Sequence, residues 1–182
     1  MSKALIIIDI QNDYFEGGAL ELHNPEEASK NAKQILDKFR KDDLPIIHVE
    51  HITADPENMP FFIEGTEGQK IHESVQPKND EKVIQKSFPN AFLQTDLLDY
   101  LKVKDINEVV VLGMMTSTCV DSTVRAAKDH GYDCTVIGDA CATRDLEVNG
   151  NEVKANDVHN AFLAGLSFFY ADIQSTQSYL SS

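Results

Sequence analysis

One stretch of the chain contains an apolar run, a glycine, a short polar turn and a cysteine, in the order Val109-Val110-Val111-Leu112-Gly113-Met114-Met115-Thr116-Ser117-Thr118-Cys119-Val120-Asp121. A short, continuous apolar run is typical of a strand buried on both faces of a sheet. After the turn, apolar residues recur at helical spacing, at Val120, Val124 and Ala127. The stretch therefore predicts a strand followed by a helix that begins at Cys119, where the helix dipole and unpaired N–H groups would favour a thiolate. Burial in the core is the commoner role of a free cysteine, and this stretch alone leaves that alternative open.

The rest of the chain continues the alternation of strand and helix patterns. Strands are predicted at Ala4–Ile8, Pro45–His51, Lys82–Lys86, Glu108–Gly113, Asp133–Gly138 and Tyr170–Gln174. Helices are predicted from Asn24-Pro25 to Phe39, at Thr95–Lys102, at Cys119–His130 and over residues 152–169. Strands that alternate with helices predict an α/β fold with a mostly parallel, six-stranded sheet covered on both faces.

Composition narrows the class of protein. A length of 182 residues is expected for one domain spanning residues 1–182, and 42% hydrophobic with 25% charged residues is ordinary for a soluble globular protein. The formal net charge of −14 argues against a nucleic-acid partner and against an anionic membrane surface. The apolar run Ala4–Ile8 is too short for the core of a signal peptide. Three cysteines without paired spacing indicate a reducing, cytoplasmic location rather than a disulfide framework.

One long segment, residues 52–80, has no regular period and contains proline, glycine and charged residues. Long connections inside compact domains are often functional. Its two aromatic residues, Phe61 and Phe62, would serve as a lid or an oligomer contact if exposed, and simple burial under the loop is the alternative.

Three reactive residues from distant parts of the sequence stand at or just beyond strand ends. Asp9 follows the first strand, Lys86 ends the third, and Cys119 follows the turn after the fourth. Ligands of parallel sheets bind at the carboxyl ends of the strands, so these side chains are expected to meet. Cys119 would then be a nucleophile, Asp9 its base, and Lys86 a cation that holds Asp9 and stabilises developing charge. Backbone N–H groups of Met115 and Cys119 are the candidates for binding the oxyanion.

Taken singly, these residues have simpler roles. Asp9 could cap a turn, and Lys86 could be a solvated charge. The joint arrangement is what favours acyl transfer through a thioester.

Three motifs in the same order resemble those of the isochorismatase-like cysteine hydrolases, over essentially the full length of the chain. They are Asp9-Ile10-Gln11-Asn12-Asp13-Tyr14-Phe15-Glu16-Gly17-Gly18-Ala19-Leu20, Lys86-Ser87-Phe88-Pro89-Asn90-Ala91-Phe92 and Gly113-Met114-Met115-Thr116-Ser117-Thr118-Cys119-Val120. The resemblance implies a three-layer α/β/α Rossmann-like fold and an Asp9/Lys86/Cys119 triad. It also implies a non-prolyl cis peptide at Met114–Met115 that aims the Met115 N–H at the oxyanion, and a homo-oligomer, either a dimer or a tetramer.

The resemblance also narrows the reaction. Family members that cleave a vinyl ether lack the cysteine, whereas nicotinamidases, carbamoylsarcosine amidases, ureidoacrylate amidohydrolases and streptothricin hydrolases use it on amide-like bonds. The presence of Cys119 therefore predicts an enzyme that hydrolyses C–N bonds other than peptide bonds, in a small amide or ureido compound.

The pattern that nicotinamidases of the family use to hold a metal is broken in this chain. The Asp of their Asp-x-His pair is replaced by Val49, two residues before His51, so neither a metal nor another cofactor is predicted. His48 and His51 would point to opposite faces of their strand. Glu50, His51 and His72 could still meet through the long segment.

Several further residues are candidate pocket residues or alternatives to Cys119 as the nucleophile. Tyr14, Phe92 and His51 are predicted to line the substrate pocket. Cys134 is predicted to be a core residue, and Cys141, just after the fifth strand, is the main rival thiol.

Two other functions stay open. One is a nicotinamidase-type deamidase with an altered metal site. The other is a non-catalytic module that binds a nucleotide or small molecule, which is less well supported because no Gly-x-Gly-x-x-Gly follows the first strand.

Overall fold

The computed structural model describes residues 2–182. Its strands are β1 (Lys3–Ile8), β2 (Ile46–His51), β3 (Lys82–Lys86), β4 (Glu108–Met114), β5 (Asp133–Ala142), β6 (Leu146–Val148), β7 (Asn151–Val153) and β8 (Asp172–Gln174). Its α-helices are α1 (Pro25–Lys41), α2 (Leu97–Val103), α3 (Asp121–Asp129), α4 (Ala155–Ser167) and α5 (Thr176–Ser181). Short 3-10 turns lie at Asn12–Tyr14 and Glu73–Val75, and a π-helical turn lies at Thr116–Val120.

The main sheet has six parallel strands in the order β3-β2-β1-β4-β5-β8. The chain moves outward from β1 to β3 on one side and from β4 to β8 on the other. Right-handed crossovers in these two directions place helices on both faces of the sheet. Helix α1 packs with α5 against β5, and α3 packs with α4. The predicted α/β fold and parallel sheet are confirmed, and the sheet is parallel throughout.

The direction of winding reverses between β1 and β4, and ligands bind at such reversals beyond the carboxyl ends of the strands. β1 is central, and its residues Leu5–Ile8 are almost completely buried. Strand propensity and burial therefore place Asp9, the next residue, at the reversal point.

The two central strands approach each other closely at Gly113. This residue pairs with Ile8, has φ +131°, and would place a Cβ 2.0 Å from the Ile8 carbonyl oxygen. Only glycine fits both the conformation and the space. β4 ends one residue later, and the Met114–Met115 peptide is cis, as predicted.

β5 is longer than predicted, because it continues past Gly138 to Ala142. A register shift opposite Val111–Gly113 lets the two strands resume pairing at Gly113 and Cys141. Cys141 therefore lies inside the strand, where it is buried and its thiol lies 3.4 Å from the Ile137 carbonyl oxygen.

The sequence reasoning missed two elements near the C-terminal part of the chain. An antiparallel hairpin, β6–β7, occupies the beginning of the helix predicted at 152–169, and α5 follows β8. Asn149 and Gly150 at the hairpin turn both have positive φ, and an Asn-Gly pair is the strongest short-range signal for such a turn. The predicted strand Tyr170–Gln174 is shorter, beginning at Asp172.

Within residues 2–182, the structure contains no helix that combines the length and the apolar character needed to cross a membrane.

Candidate active site

Three strand ends bring Asp9, Lys86 and Cys119 together. The Lys86 Nζ lies 2.6 Å from Asp9 Oδ2 and 3.3 Å from Cys119 Sγ. All three residues are buried, with at most 4% of any of them exposed. The sequence placed these residues on one edge of the sheet, and the structure puts them in contact.

A fourth residue, His51, completes the surroundings of the lysine. His51 and Lys86 are register partners in the parallel pair β2–β3, so their side chains project from the same face. The Lys86 Nζ lies 3.0 Å from His51 Nδ1. An ammonium has three protons and no lone pair, so Lys86 has one proton for each of Asp9, Cys119 and His51.

Cys119 does not begin the helix. It lies inside the π-helical turn Thr116–Val120, which the Val120 N–H closes by donating to the Met115 carbonyl at 3.1 Å, and α3 begins at Asp121. Burial, followed by the charge of Asp9, raises the pKa of the Cys119 thiol. Burial outweighs the attraction of Lys86, so this environment favours the thiol over the thiolate that a helix N-terminus would favour.

The environment of Asp9 raises the affinity of its carboxylate for a proton. Its φ of +48° turns the chain sharply after β1. Oδ2 lies 2.6 Å from the Lys86 Nζ, and no backbone N–H among residues 2–182 donates to either carboxylate oxygen. Burial raises the pKa of Asp9, and Lys86 only partly offsets this effect. Burial also acts to lower the pKa of Lys86, but Asp9 and Cys119 outweigh it and leave that pKa above its usual range.

Asp9, His51 and Cys119 each offer one potential metal-ligand atom, and these atoms lie within 4.8 Å of one another, a spacing that would suit a metal ion. The Lys86 Nζ, however, contacts all three residues. The ammonium is thus the cation that this group surrounds, and the residues do not fit a metal in addition.

The second possible metal group, Glu50 with His51 and His72, does not assemble. Gln69 and Gln85 donate to the two Glu50 carboxylate oxygens at 2.9 and 2.8 Å. His72 instead stacks on Phe15 with ring centroids 3.7 Å apart. The expectation that these three residues could meet is wrong, because Glu50 faces away from His51 and local contacts hold His72.

Two of the predicted pocket residues, Tyr14 and Phe92, lie in different parts of the structure. Tyr14 is buried and packs edge-on against Phe62, with ring centroids 4.8 Å apart, and Phe62 lies 5.7 Å from the His51 ring. Burial raises the pKa of the Tyr14 phenol.

Phe92, in contrast, is not at the pocket. Its ring lies 5.1 Å from that of His130 and 6.4 Å from that of Tyr132, beyond the far end of α3. The nine residues of α3 span about 13 Å and separate this ring from Cys119. The prediction of Phe92 as a pocket residue is wrong, because sequence proximity to Lys86 does not fix the direction of the loop that follows.

Comparison with known proteins shows the family to which the chain belongs. The sequence model of the Isochorismatase domain matches residues 3–177. The chain belongs to the isochorismatase family. It is 47% identical over 180 residues to YddQ, an uncharacterized isochorismatase family protein of Bacillus subtilis, with 99% of each chain covered.

Two further relatives extend the comparison. A solved structure of an isochorismatase from Pseudomonas putida superposes with a TM-score of 0.90 at 36% identity, covering 97% of this chain and 89% of that one. A nicotinamidase of Escherichia coli is 27% identical over 216 residues, covering 96% of this chain and 98% of that protein. The family is one of hydrolases, and this chain is an isochorismatase-family hydrolase.

In this hydrolase, the polar residues that follow Asp9 hold the long segment over the site. The Gln11 side chain donates to the Gln69 carbonyl at 2.7 Å, and that of Asn12 donates to the Glu67 carbonyl at 3.0 Å. The role of Gln11 and Asn12 could not be predicted, since it depends on a segment without any periodic pattern.

Asp13 fixes the same segment at its aromatic residue. Its carboxylate accepts from the Phe62 N–H at 2.6 Å and from the Ala19 N–H at 3.1 Å. A Cβ at Gly68 would lie 2.0 Å from this carboxylate, so the close approach requires glycine. Phe62 is consequently buried, which agrees with the simpler of the two sequence alternatives.

The nucleophile turn of the hydrolase is held from its other side. The Thr116 hydroxyl lies 2.9 Å from His159 Nδ1, and the Ser117 hydroxyl lies 2.8 Å from that of Thr143. Within residues 2–182, the Met115 N–H donates to no other group of the chain. That N–H belongs to the cis peptide bond itself and is available for a bound ligand.

Proposed function

We propose that this protein hydrolyses a small amide or ureido compound through a thioester on Cys119. The observation that carries the proposal is the buried lysine whose Nζ contacts both the Asp9 carboxylate and the Cys119 sulfur. A nucleophile, a base and a cation within hydrogen-bond reach are the parts that acyl transfer needs.

In the first half of the reaction, the sulfur attacks the carbonyl carbon and Asp9 takes the thiol proton. The raised pKa of Asp9 suits this transfer, because the carboxylate is a stronger base than an exposed aspartate. Backbone N–H groups of Met115 and Cys119 are proposed to bind the oxyanion. Collapse of the tetrahedral intermediate breaks the C–N bond, and the leaving nitrogen takes the proton from Asp9.

In the second half, water attacks the thioester and Asp9 takes a proton from it. The C–S bond then breaks, the thiol regains its proton, and a carboxylic acid or carbamate leaves. The net reaction adds one water across the C–N bond. Lys86 keeps its charge throughout and stabilises the anionic form of Asp9 or of the sulfur.

The burial of the site bears on substrate size. Asp9, Lys86 and Cys119 are each at least 96% buried, and Tyr14 and Phe62 pack beside them. A small compound is proposed for that reason, with Tyr14 and His51 as pocket residues.

The test is release of ammonia or amine from a panel of small primary amides, N-carbamoyl compounds and nicotinamide. We expect at least one compound to be hydrolysed, and Cys119→Ala to abolish the reaction, while Cys141→Ala serves as the matched control and keeps it. Mass spectrometry of the quenched reaction should find the acyl group on Cys119. Equal activity of Cys119→Ala and wild type, or adducts only on Cys141, would refute the proposal.

Self-association is proposed as well. The chain following α4 carries Phe168, 91% exposed, and Phe169, 67% exposed, next to the exposed Ala164 and Gly165. Light scattering should give a mass above that of a monomer, and replacing both phenylalanines by serine should lower it. Val103→Ser is the control, because that valine is also exposed but lies elsewhere, at the end of α2. A monomeric wild-type protein would contradict this expectation.

A further inference from the structure

The main chain of His51 is held on both sides. On one side, β2 pairs with β3 at His51 and Lys86. On the other, β1 has already ended, and the Gln11 side chain replaces it: Gln11 Oε1 accepts from the His51 N–H at 2.8 Å, and Gln11 Nε2 donates to the His51 carbonyl at 2.9 Å. Gln11 is fully buried. The carboxamide thus acts as a strand neighbour that fixes His51 in the sheet.

The contact with Lys86 determines the tautomer of His51. An ammonium can only donate, so the Nδ1 that lies 3.0 Å from the Lys86 Nζ must be the acceptor and carries no proton. Burial, followed by the charge of Lys86, lowers the pKa of His51 to about 4, so the ring is neutral near pH 7. The single ring proton therefore resides on Nε2.

The Nε2–H has no partner. Nε2 is a buried atom without a hydrogen-bond partner among residues 2–182, and the residue as a whole is only 7% exposed. Buried donors are nearly always paired, since an unpaired donor loses its contact with water and gains nothing in return. The ring lies in the group that includes Asp9 and Cys119, and it also lies beside the Phe62 ring, which offers no acceptor oxygen.

We infer that His51 divides its two ring nitrogens between two tasks: Nδ1 positions Lys86, and Nε2–H donates to an acceptor oxygen of the bound amide or ureido substrate. The inference rests on the proposed function and deepens it. His51 is a positioning residue through Nδ1 and a binding residue through Nε2. In this chain the histidine serves the lysine rather than a metal ion.

Two substitutions separate the tasks. The side-chain oxygen of asparagine reaches the place of Nδ1, so His51→Asn keeps an acceptor for Lys86 and loses the donor to substrate. The terminal amide of glutamine reaches the place of Nε2, so His51→Gln keeps a donor there and loses the acceptor for Lys86. Both variants are neutral and of similar polarity, so a merely structural role would affect them alike.

Kinetics with the best compound of the amide panel should distinguish the variants. A net hydrogen bond corresponds to roughly a tenfold change, so His51→Asn should raise KM about tenfold with kcat nearly unchanged. His51→Gln should instead lower kcat about tenfold or more and change KM less. Identical kinetic changes in the two variants would overturn the division of tasks.

A second readout does not need turnover. In protein labelled with ¹⁵N-histidine, the His51 signals are those missing from both variants. We expect the Nε2–H tautomer and no titration between about pH 5.5 and 8, where an ordinary histidine titrates. Acetamide or N-methylurea, added to Cys119→Ala protein, should shift the Nε2–H signal.

The outcomes separate the two proposals. An Nδ1–H tautomer, or an Nε2–H signal that neither compound shifts, would overturn the inference. Failure of the whole panel to be hydrolysed, with the expected tautomer and shift, would instead overturn the hydrolase function and leave a site that binds amides.

Discussion

Two clusters of buried charge lie on opposite faces of β2, and each contains one of its histidines. The Glu81 cluster consists of Arg40, Glu81 and His48, and the Asp9 cluster consists of Lys86, Asp9, Cys119 and His51. Each pairs one cation with one carboxylate beside a neutral imidazole. The two carboxylates nevertheless have opposite properties.

The Glu81 carboxylate is surrounded by hydrogen-bond donors. Arg40 donates to it at 2.7 and 2.8 Å, His48 Nε2 lies 2.8 Å away, and the Lys78 N–H donates at 2.9 Å. Burial alone would raise the pKa of Glu81, but these hydrogen bonds outweigh it and bring the pKa to about 2. Such a carboxylate cannot act as a base near neutral pH.

The Asp9 carboxylate pairs with one cation, Lys86, and no backbone N–H among residues 2–182 donates to it, although Asp9 is more deeply buried than Glu81. Its pKa is raised by that burial. The difference shows how one fold gives two carboxylates opposite affinities for a proton. A full set of donors stabilises the charge, whereas too few donors keep the carboxylate ready to accept a proton.

The largest expected effect comes from breaking the Asp9 cluster. Asp9→Asn removes the proton acceptor and should lower kcat/KM about 10³-fold, within the usual range for a general base. Amine release from the best panel compound measures it. More than a tenth of the wild-type activity in this variant would mean that Asp9 is not the base.

Breaking the Glu81 cluster should affect folding rather than chemistry. Glu81→Gln leaves Arg40 and His48 without their full acceptor and should lower the free energy of unfolding by about 2 kcal/mol. Because the folded pKa of Glu81 is depressed, its contribution exists above its unfolded pKa and is lost as the pH falls towards about 2. Urea denaturation at pH 7 and at pH 3 should therefore show a smaller difference between the two proteins at pH 3.

The activity of folded Glu81→Gln should stay within about twofold of wild type, because Glu81 does not contact the triad. A loss as large as that of Asp9→Asn would mean that the two clusters are coupled.

Loosening the long segment 52–80, which lies over the Asp9 cluster, should have an intermediate effect on activity. In Gly68→Ala the new methyl group displaces the Asp13 carboxylate from the Phe62 and Ala19 N–H groups. Loss of one such buried hydrogen bond should lower kcat/KM roughly tenfold. Val103→Ser is the control, since that exposed valine lies at the end of α2, away from the segment over the site. If both variants behave like wild type in the amide assay, the segment is not needed for catalysis.

The smallest expected effect is a displaced pH profile. Asp9 must be ionised to accept a proton, so activity falls as the pH drops through its raised pKa. The acid limb of kcat/KM should lie above about 3.9, the value of an unperturbed aspartate. Gly68→Ala should move the limb towards that value by admitting water. A wild-type limb at or below it would contradict the contrast between Asp9 and Glu81.

Much of this arrangement could be predicted from the sequence, because strand ends are signalled locally. The apolar runs before Asp9 and before Gly113 indicate buried strands, and parallel strands end on one edge. Asp9, Lys86 and Cys119 follow from that rule. The family resemblance located the cis peptide at Met114–Met115.

What could not be predicted depends on distant contacts. Gly138 looks like the end of a strand, but pairing across a bulge carries β5 on to Ala142. The depth of burial that raises the pKa of Cys119 comes from residues spread over the whole chain. The orientation of Phe92 and the hydrogen bonds of Gln11 to His51 likewise depend on loop conformations that no periodic pattern predicts.

The burial of Cys119 has a consequence for survival of the protein in cells that meet peroxide. Peroxide oxidises thiolates far faster than thiols, and it needs access to the sulfur. Cys119 is only 4% exposed and burial raises the pKa of its thiol, so it is expected to be a poor target on both counts. In the proposed reaction, the same low exposure that makes Cys119 depend on Asp9 for activation would also slow its irreversible oxidation between turnovers.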